Sequence, residues 1–128
     1  MIAFARACKS ADVCRLGVVT AHGAKVNSAS FYNRVKGEVE RDIQSLGLTS
    51  VFFARPSLLL GRPDDGRFVE KLGESLLSPI SSFIPKAARP ISTKCVAEAM
   101  IYAAYDVENK STSFLLSNAD MHQRLHVE

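Results

Sequence analysis

Ser50-Val51-Phe52-Phe53-Ala54-Arg55-Pro56 contains a short, uninterrupted apolar run closed by Arg-Pro. A run of this length with no polar alternation suits a strand buried on both faces, as in a parallel sheet. Upstream, Arg15-Leu16-Gly17-Val18-Val19-Thr20 is a second such run. It ends in Ala21-His22-Gly23-Ala24, small residues past which a ligand could approach the backbone. Between the two runs lie a loop, Lys25 to Ala29, and a helical segment, Phe31-Tyr32-Asn33-Arg34-Val35-Lys36-Gly37-Glu38-Val39-Glu40. Strand, helix and strand at this spacing predict a βαβ unit with a right-handed crossover. The expected fold class is therefore α/β.

The helical segment carries a tyrosine and a lysine four residues apart. Tyr32 and Lys36 stand at i and i+4, so they share one face near the start of the helix. A phenol beside an ammonium suits proton transfer, because the cation stabilises the phenolate. The alternative reading of the same spacing is a solvated surface pair.

Taken in order, Val19-Thr20-Ala21-His22-Gly23-Ala24, Phe31-Tyr32 through Lys36-Gly37-Glu38-Val39-Glu40, and Ala54-Arg55-Pro56-Ser57-Leu58-Leu59-Leu60-Gly61 resemble the atypical short-chain dehydrogenase/reductase family. Within it the nearest group is the small NAD(P)-binding, Tat-interacting oxidoreductase-like proteins. The resemblance covers nearly all of the chain but only the C-terminal half of the family's domain. It implies the C-terminal half of a doubly wound, Rossmann-like parallel sheet with flanking helices. Residues 1–128 would form a partial NAD(P)-binding domain that lacks the N-terminal glycine-rich half.

Carried onto this sequence, the family's acid/base is Tyr32, and Lys36 binds the nicotinamide ribose. Thr20 stands where the family usually has serine and would hydrogen-bond a substrate carbonyl. The cofactor contacts implied are Thr20, Ala21, Tyr32, Lys36, Pro56, Ser57 and Leu58, around NADP or NAD. The function implied is hydride transfer between nicotinamide and a small carbonyl or alcohol. The alternative is a non-catalytic regulatory or protein-interaction module that keeps half of the fold.

The seven glycines are Gly17, Gly23, Gly37, Gly47, Gly61, Gly66 and Gly73, none of them spaced as a dinucleotide-binding turn. The chain alone is therefore expected to bind NAD(P) weakly or not at all and to be inactive. By the resemblance, the first four strands of the sheet are absent. The Arg15–Thr20 strand then has an unpaired outer edge, and the expected partner is a second copy or the missing half. The three strands present should be parallel and follow the order of the second half of the sheet.

Composition agrees with one modest domain. Of 128 residues, 47% are hydrophobic, and 16 basic against 13 acidic side chains leave a net charge of +3. The basic residues are scattered, which argues against a nucleic-acid partner. No apolar stretch reaches membrane-spanning length. The cysteines are Cys8, Cys14 and Cys95, an odd number without a C-x-x-C. That pattern suits a reducing compartment, and a cytoplasmic location is expected, with Cys8 and Cys95 at or near the core.

Around the βαβ unit, Met1 to Cys8 reads as a preceding helix. Arg62-Pro63-Asp64-Asp65-Gly66 reads as a turn, Phe68 to Leu77 as an amphipathic helix and Ser78 to Arg89 as a loop covering the core. Lys94 to Tyr105 reads as a helix capped by Ser92 or Thr93, apolar at Val96, Ala97, Met100, Ile101 and Ala104. Tyr102 and Tyr105 read as structural residues of that helix. Thr112 to Leu116 is a last strand, and Ser117 or Asn118 caps a terminal helix. His22 reads as a loop histidine, and His122 and His126 as a solvated i, i+4 pair.

Overall fold

The computed structural model describes residues 1–60, 85, 87–106 and 112–124. In chain order the elements are α1 (Ile2–Ser10), β1 (Leu16–Val19), α2 (Phe31–Gln44), β2 (Val51–Arg55), β3 (Leu59–Leu60), β4 (Ile91–Ser92), α3 (Thr93–Tyr105), β5 (Ser113–Ser117) and α4 (Asn118–Arg124). The turn at 62–66, the helix at 68–77, most of the 78–89 loop and His126 lie outside the described residues.

The fold is α/β. β1, β2 and β5 form a three-stranded sheet in the order β1-β2-β5, and both pairings are parallel. Register aligns Leu16 with Val51, and Val51 with Ser113. β2 is the central strand, which is why its apolar run is continuous. Val51, Phe52, Phe53 and Ala54 are all buried, and Phe53 and Ala54 are wholly so. Alternate β2 residues serve two separate cores. On one face Val51 and Phe53 pack with Leu16, Val18 and Ile43, and with Ala5 and Cys8 of α1. On the other, Phe52 and Ala54 pack with Leu116, Met121, and Val96, Ala99 and Ala103 of α3. Each fully buried phenylalanine contributes about 1.5–3 kcal/mol relative to exposure.

Helix ends follow local chemistry. The Ser92 hydroxyl accepts from the Cys95 amide at 3.1 Å and caps α3. At α4, the Asp120 amide donates to the Ser117 hydroxyl (3.2 Å) while Asp120 accepts from the Ser117 amide (2.8 Å). This reciprocal pairing is a capping box. Arg15 Nη1 donates to the carbonyls of Ala103, Ala104 and Asp106 and ties the end of α3 to the start of β1.

Two expectations change. α3 is turned relative to the predicted apolar stripe. Its buried residues are Val96, Ala99 and Ala103, whereas Ile101 is 58% exposed. Two alanines let the helix lie close over the Phe52 and Phe114 rings, which stack at 5.2 Å, so the larger side chains turn outward. Tyr102 and Tyr105 accordingly stand in solvent, at 63% and 80% exposure, and are not core residues. The second change is a two-residue parallel ladder, Leu59–Leu60 with Ile91–Ser92. It sits where the sequence reads as loop.

Candidate ligand-binding site

The carboxyl ends of parallel strands are where open α/β sheets bind ligands, and here the loops after β1 and β2 and the β5–α4 junction are stitched together. The His22 amide donates to the Pro56 carbonyl at 2.8 Å, joining the loops after β1 and β2. The Ser57 amide donates to Asn118 Oδ1 at 3.0 Å, joining the loop after β2 to the end of β5. Asn118 Nδ2 donates in turn to the Arg89 carbonyl at 2.9 Å, and the Ser57 hydroxyl donates to that same carbonyl. Asn118 is wholly buried. The sequence points to Asn118 only as a helix cap. Its role as the link between loops is carried by tertiary contacts that no local spacing signals.

α2 starts above this edge because the chain reverses in the loop after β1. Gly23 has φ +79° there, a left-handed conformation that glycine adopts without strain. Further along α2, a Cβ on Gly37 would lie 2.4 Å from the Lys25 carbonyl carbon. The glycine lets the Lys25–Val26 backbone lie against the helix.

Tyr32 and Lys36 come together as their spacing implies. Lys36 Nζ lies 5.5 Å from the centroid of the Tyr32 ring. This is a cation–π contact, with the ammonium over the ring rather than at the hydroxyl, and is worth about 0.5–1 kcal/mol at such an exposed position. Tyr32 is 58% exposed.

Thr20 is buried, and its hydroxyl donates to Glu40 Oε1 at 2.5 Å. Glu40 is the centre of a buried network. Arg55 grips it bidentately, Nε to Oε1 at 3.0 Å and Nη2 to Oε2 at 2.5 Å. The hydrogen bonds that Arg55 donates to Glu40 raise the Arg55 pKa above its ordinary value; burial opposes this and the Glu40 charge adds to it. The network ties the end of β1, the end of β2 and the middle of α2 to one carboxylate. Glu40 also continues the Tyr32–Lys36 stripe, four residues further on, and an acid on a helix's inward face is the signal that could have found it. Of the other expected contacts, Ala21 and Pro56 are buried, Ser57 is half-buried, and Leu58 is exposed. His22 is exposed in the loop. His122 Nε2 is buried without a hydrogen-bond partner among the described residues, so it is not a solvated histidine. Among those residues no group of His, Cys, Asp and Glu could hold a metal ion.

No protein-family model matches the chain. Curated relatives do. Over 61 residues the chain is 44% identical to "Protein FMP52, mitochondrial" of Eremothecium gossypii, covering 47% of this chain and 27% of that protein. Over 69 residues it is 32% identical to "Protein fmp52, mitochondrial" of Aspergillus clavatus, covering 54% of this chain and 30% of that protein. The Aspergillus fumigatus protein of the same name is also 32% identical over 69 residues. The chain therefore matches less than a third of the length of each of these relatives.

These matches correct the reading from sequence. The relatives carry the name FMP52, and no matching family model supports membership of the atypical short-chain dehydrogenase/reductases. The hydride-transfer activity drawn from that membership falls with it. The relatives' names place them in mitochondria, in conflict with the cytoplasmic location inferred from the cysteines. Three free thiols are as compatible with one reducing compartment as with another, so the cysteine argument could not separate the two. No described helix is long and apolar enough to cross a membrane.

Proposed function

We propose that this chain supplies the second half of a doubly wound, Rossmann-like sheet in a mitochondrial protein of the FMP52 kind, and that its carboxyl edge binds the nicotinamide end of NADP or NAD. The observation that carries this reading is the joining of the loops after β1 and β2 to the start of α4 at the carboxyl end of the sheet, together with an exposed Tyr32 at the start of α2 whose ring is flanked by Lys36. In this proposal Tyr32 and Lys36 contact the ligand from above. Ala21, Pro56, Ser57 and Leu58 form the rim below. Thr20 acts indirectly, by holding Glu40 and hence the pitch of α2. The described residues fit the nicotinamide end better than the pyrophosphate, for which they offer no glycine-rich turn opening a helix.

Saturation-transfer NMR with nicotinamide mononucleotide and the full chain tests this directly. Transfer should reach the nicotinamide ring protons and fall sharply in Tyr32→Ala and Lys36→Ala. Absence of transfer, or transfer that both variants leave unchanged, would refute the assignment.

A further inference from the structure

Further along α2 from Tyr32 and Lys36, the helix forms one wall of a second opening. On that side the helix presents Gly37, Arg41 and Gln44, and the sheet beneath ends in strand β5. α1 and α2 cover β1 and β2, and the end of α2 reaches β5 through Gln44 Nε2, which donates to Ser113 Oγ at 3.0 Å, while Leu115 is left 48% exposed. The result is a groove of about 450 Å³ between α2, the Lys25–Val26 loop and β5. That volume lies within the range of small-molecule sites, roughly 300–1,000 Å³.

Its lining has two distinct chemistries. Leu115 and Val26 give it an apolar surface. Lys25, Arg41 and Arg55 give it three cationic side chains against one carboxylate, Glu40. That carboxylate is already engaged by Arg55 and Thr20. The cations are not saturated. Arg41 spends Nε and Nη2 on Asp42, and Arg55 spends Nε and Nη2 on Glu40. Nη1 of each arginine and Nζ of Lys25 have no hydrogen-bond partner among the described residues. Cationic donors that face solvent beside an apolar surface suit a ligand with a charged head and a short hydrocarbon body. Charge-assisted hydrogen bonds to such a head are the stronger kind.

We propose that this groove is a binding site for an anionic amphiphile, with its carboxylate or phosphate head held by Lys25, Arg41 and Arg55 and its aliphatic tail lying on Leu115 and Val26. The site is separate from the nicotinamide proposal, since it uses neither Tyr32 nor Lys36, and either can fail alone.

The test is a titration of the 128-residue chain, followed by amide NMR shifts, with octanoate, octyl phosphate, octanol and inorganic phosphate as separate probes. One of the two charged amphiphiles, or both, should saturate and shift the amides of Lys25, Gly37 and Leu115. The tighter of the two names the head group. Octanol and inorganic phosphate should each bind at least about tenfold more weakly, because each lacks one of the two contacts. Lys25→Gln and Arg41→Gln alter exposed side chains, so both variants should fold, and each should weaken the charged amphiphile by about tenfold. Leu115→Asp should abolish binding, with folding checked by the same spectrum. Octanol binding as tightly as octanoate, shifts centred elsewhere, or full affinity in both charge variants would overturn the proposal.

Discussion

Glu40→Ala should be among the most damaging single changes on α2. The side chain is 6% exposed and accepts from Thr20 and, bidentately, from Arg55. Removing one partner of a buried pair typically costs about 3–5 kcal/mol, because the other charge is left buried and uncompensated. Here the lower end applies. Arg55 is 26% exposed and can partly rehydrate, and Thr20 retains the Ala54 carbonyl at 3.5 Å. The expected loss is therefore about 2–3 kcal/mol, after discounting for solvent screening at the Arg55 end. Urea denaturation followed by circular dichroism measures it. A double-mutant cycle with Arg55→Ala should return a coupling of about 1–2 kcal/mol, since the residues are in direct contact. The Arg55 contribution has a definite pH sign. A pKa raised in the folded state adds stability that is fully present below the unfolded value. It is lost only as pH rises through the raised value, which lies above the ordinary arginine range. Arg55 therefore adds no pH dependence to stability anywhere near neutrality. A Glu40→Ala loss below about 0.5 kcal/mol, the level of an indifferent surface change, with zero coupling to Arg55, would refute the network's role.

Gly37→Ala should destabilise by about 1–3 kcal/mol despite alanine's better helix propensity, because its Cβ meets the Lys25 and Val26 backbone at 2.4–2.7 Å; thermal melts would show the drop. Phe53→Ala empties the centre of one core and should cost about 3–5 kcal/mol, while Phe31→Ser, at a position 72% exposed, should stay within about 0.5 kcal/mol. Equal losses in the two phenylalanine variants would mean that the burial pattern is wrong. Leu16 and Thr20 donate their amides toward β2, which leaves those of Gly17 and Val19 directed at the outer edge of β1, where no described strand pairs. The isolated chain should therefore self-associate, and Val19→Lys should shift it toward monomer in light scattering; an unchanged size distribution would exclude this edge as the contact.

Much of the architecture was legible because the strands of the main sheet contain apolar runs. The run at 51–54 announced the central strand, and it is buried on both faces. The stretch 31–40 announced α2, including the contact between Tyr32 and Lys36. The parallel pairing of β1 with β2 followed from the βαβ spacing, whereas the place of the last strand beside β2 was implied only by the family resemblance. What failed has identifiable causes. β3 and β4 have two residues each, too few to carry any periodicity. The α3 stripe was read from its large side chains, whereas the sheet selected its alanines, since small residues permit closer packing. The identity of the chain was inferred from motif likeness, and the relatives it matches carry another name and another compartment. Neither could have been corrected from residue chemistry, because a Tyr–Lys pair and three thiols are compatible with many proteins.

The candidate site and the buried network are parts of one mechanical unit. Tyr32, Lys36 and Glu40 fall at successive i, i+4 positions, so they form a single stripe down α2. The lower end of that stripe is fixed. Glu40 is clamped between the ends of two strands by Thr20 and Arg55, and Gly37 sets how closely the Lys25–Val26 loop can press on the helix. The upper end is open, and Tyr32 is 58% exposed there. A helix is stiff over two turns, so the clamp at Glu40 sets where the phenol points. Loss of the clamp should then be felt twice, once as stability and once as a change in the environment of Tyr32. Since Tyr32 makes no contact with Glu40, a shift of the Tyr32 ring resonances in Glu40→Gln, under conditions where the chain remains folded, would report the rotation of α2 itself. Unmoved resonances would mean that the loop and the Lys36 contact alone hold the tyrosine.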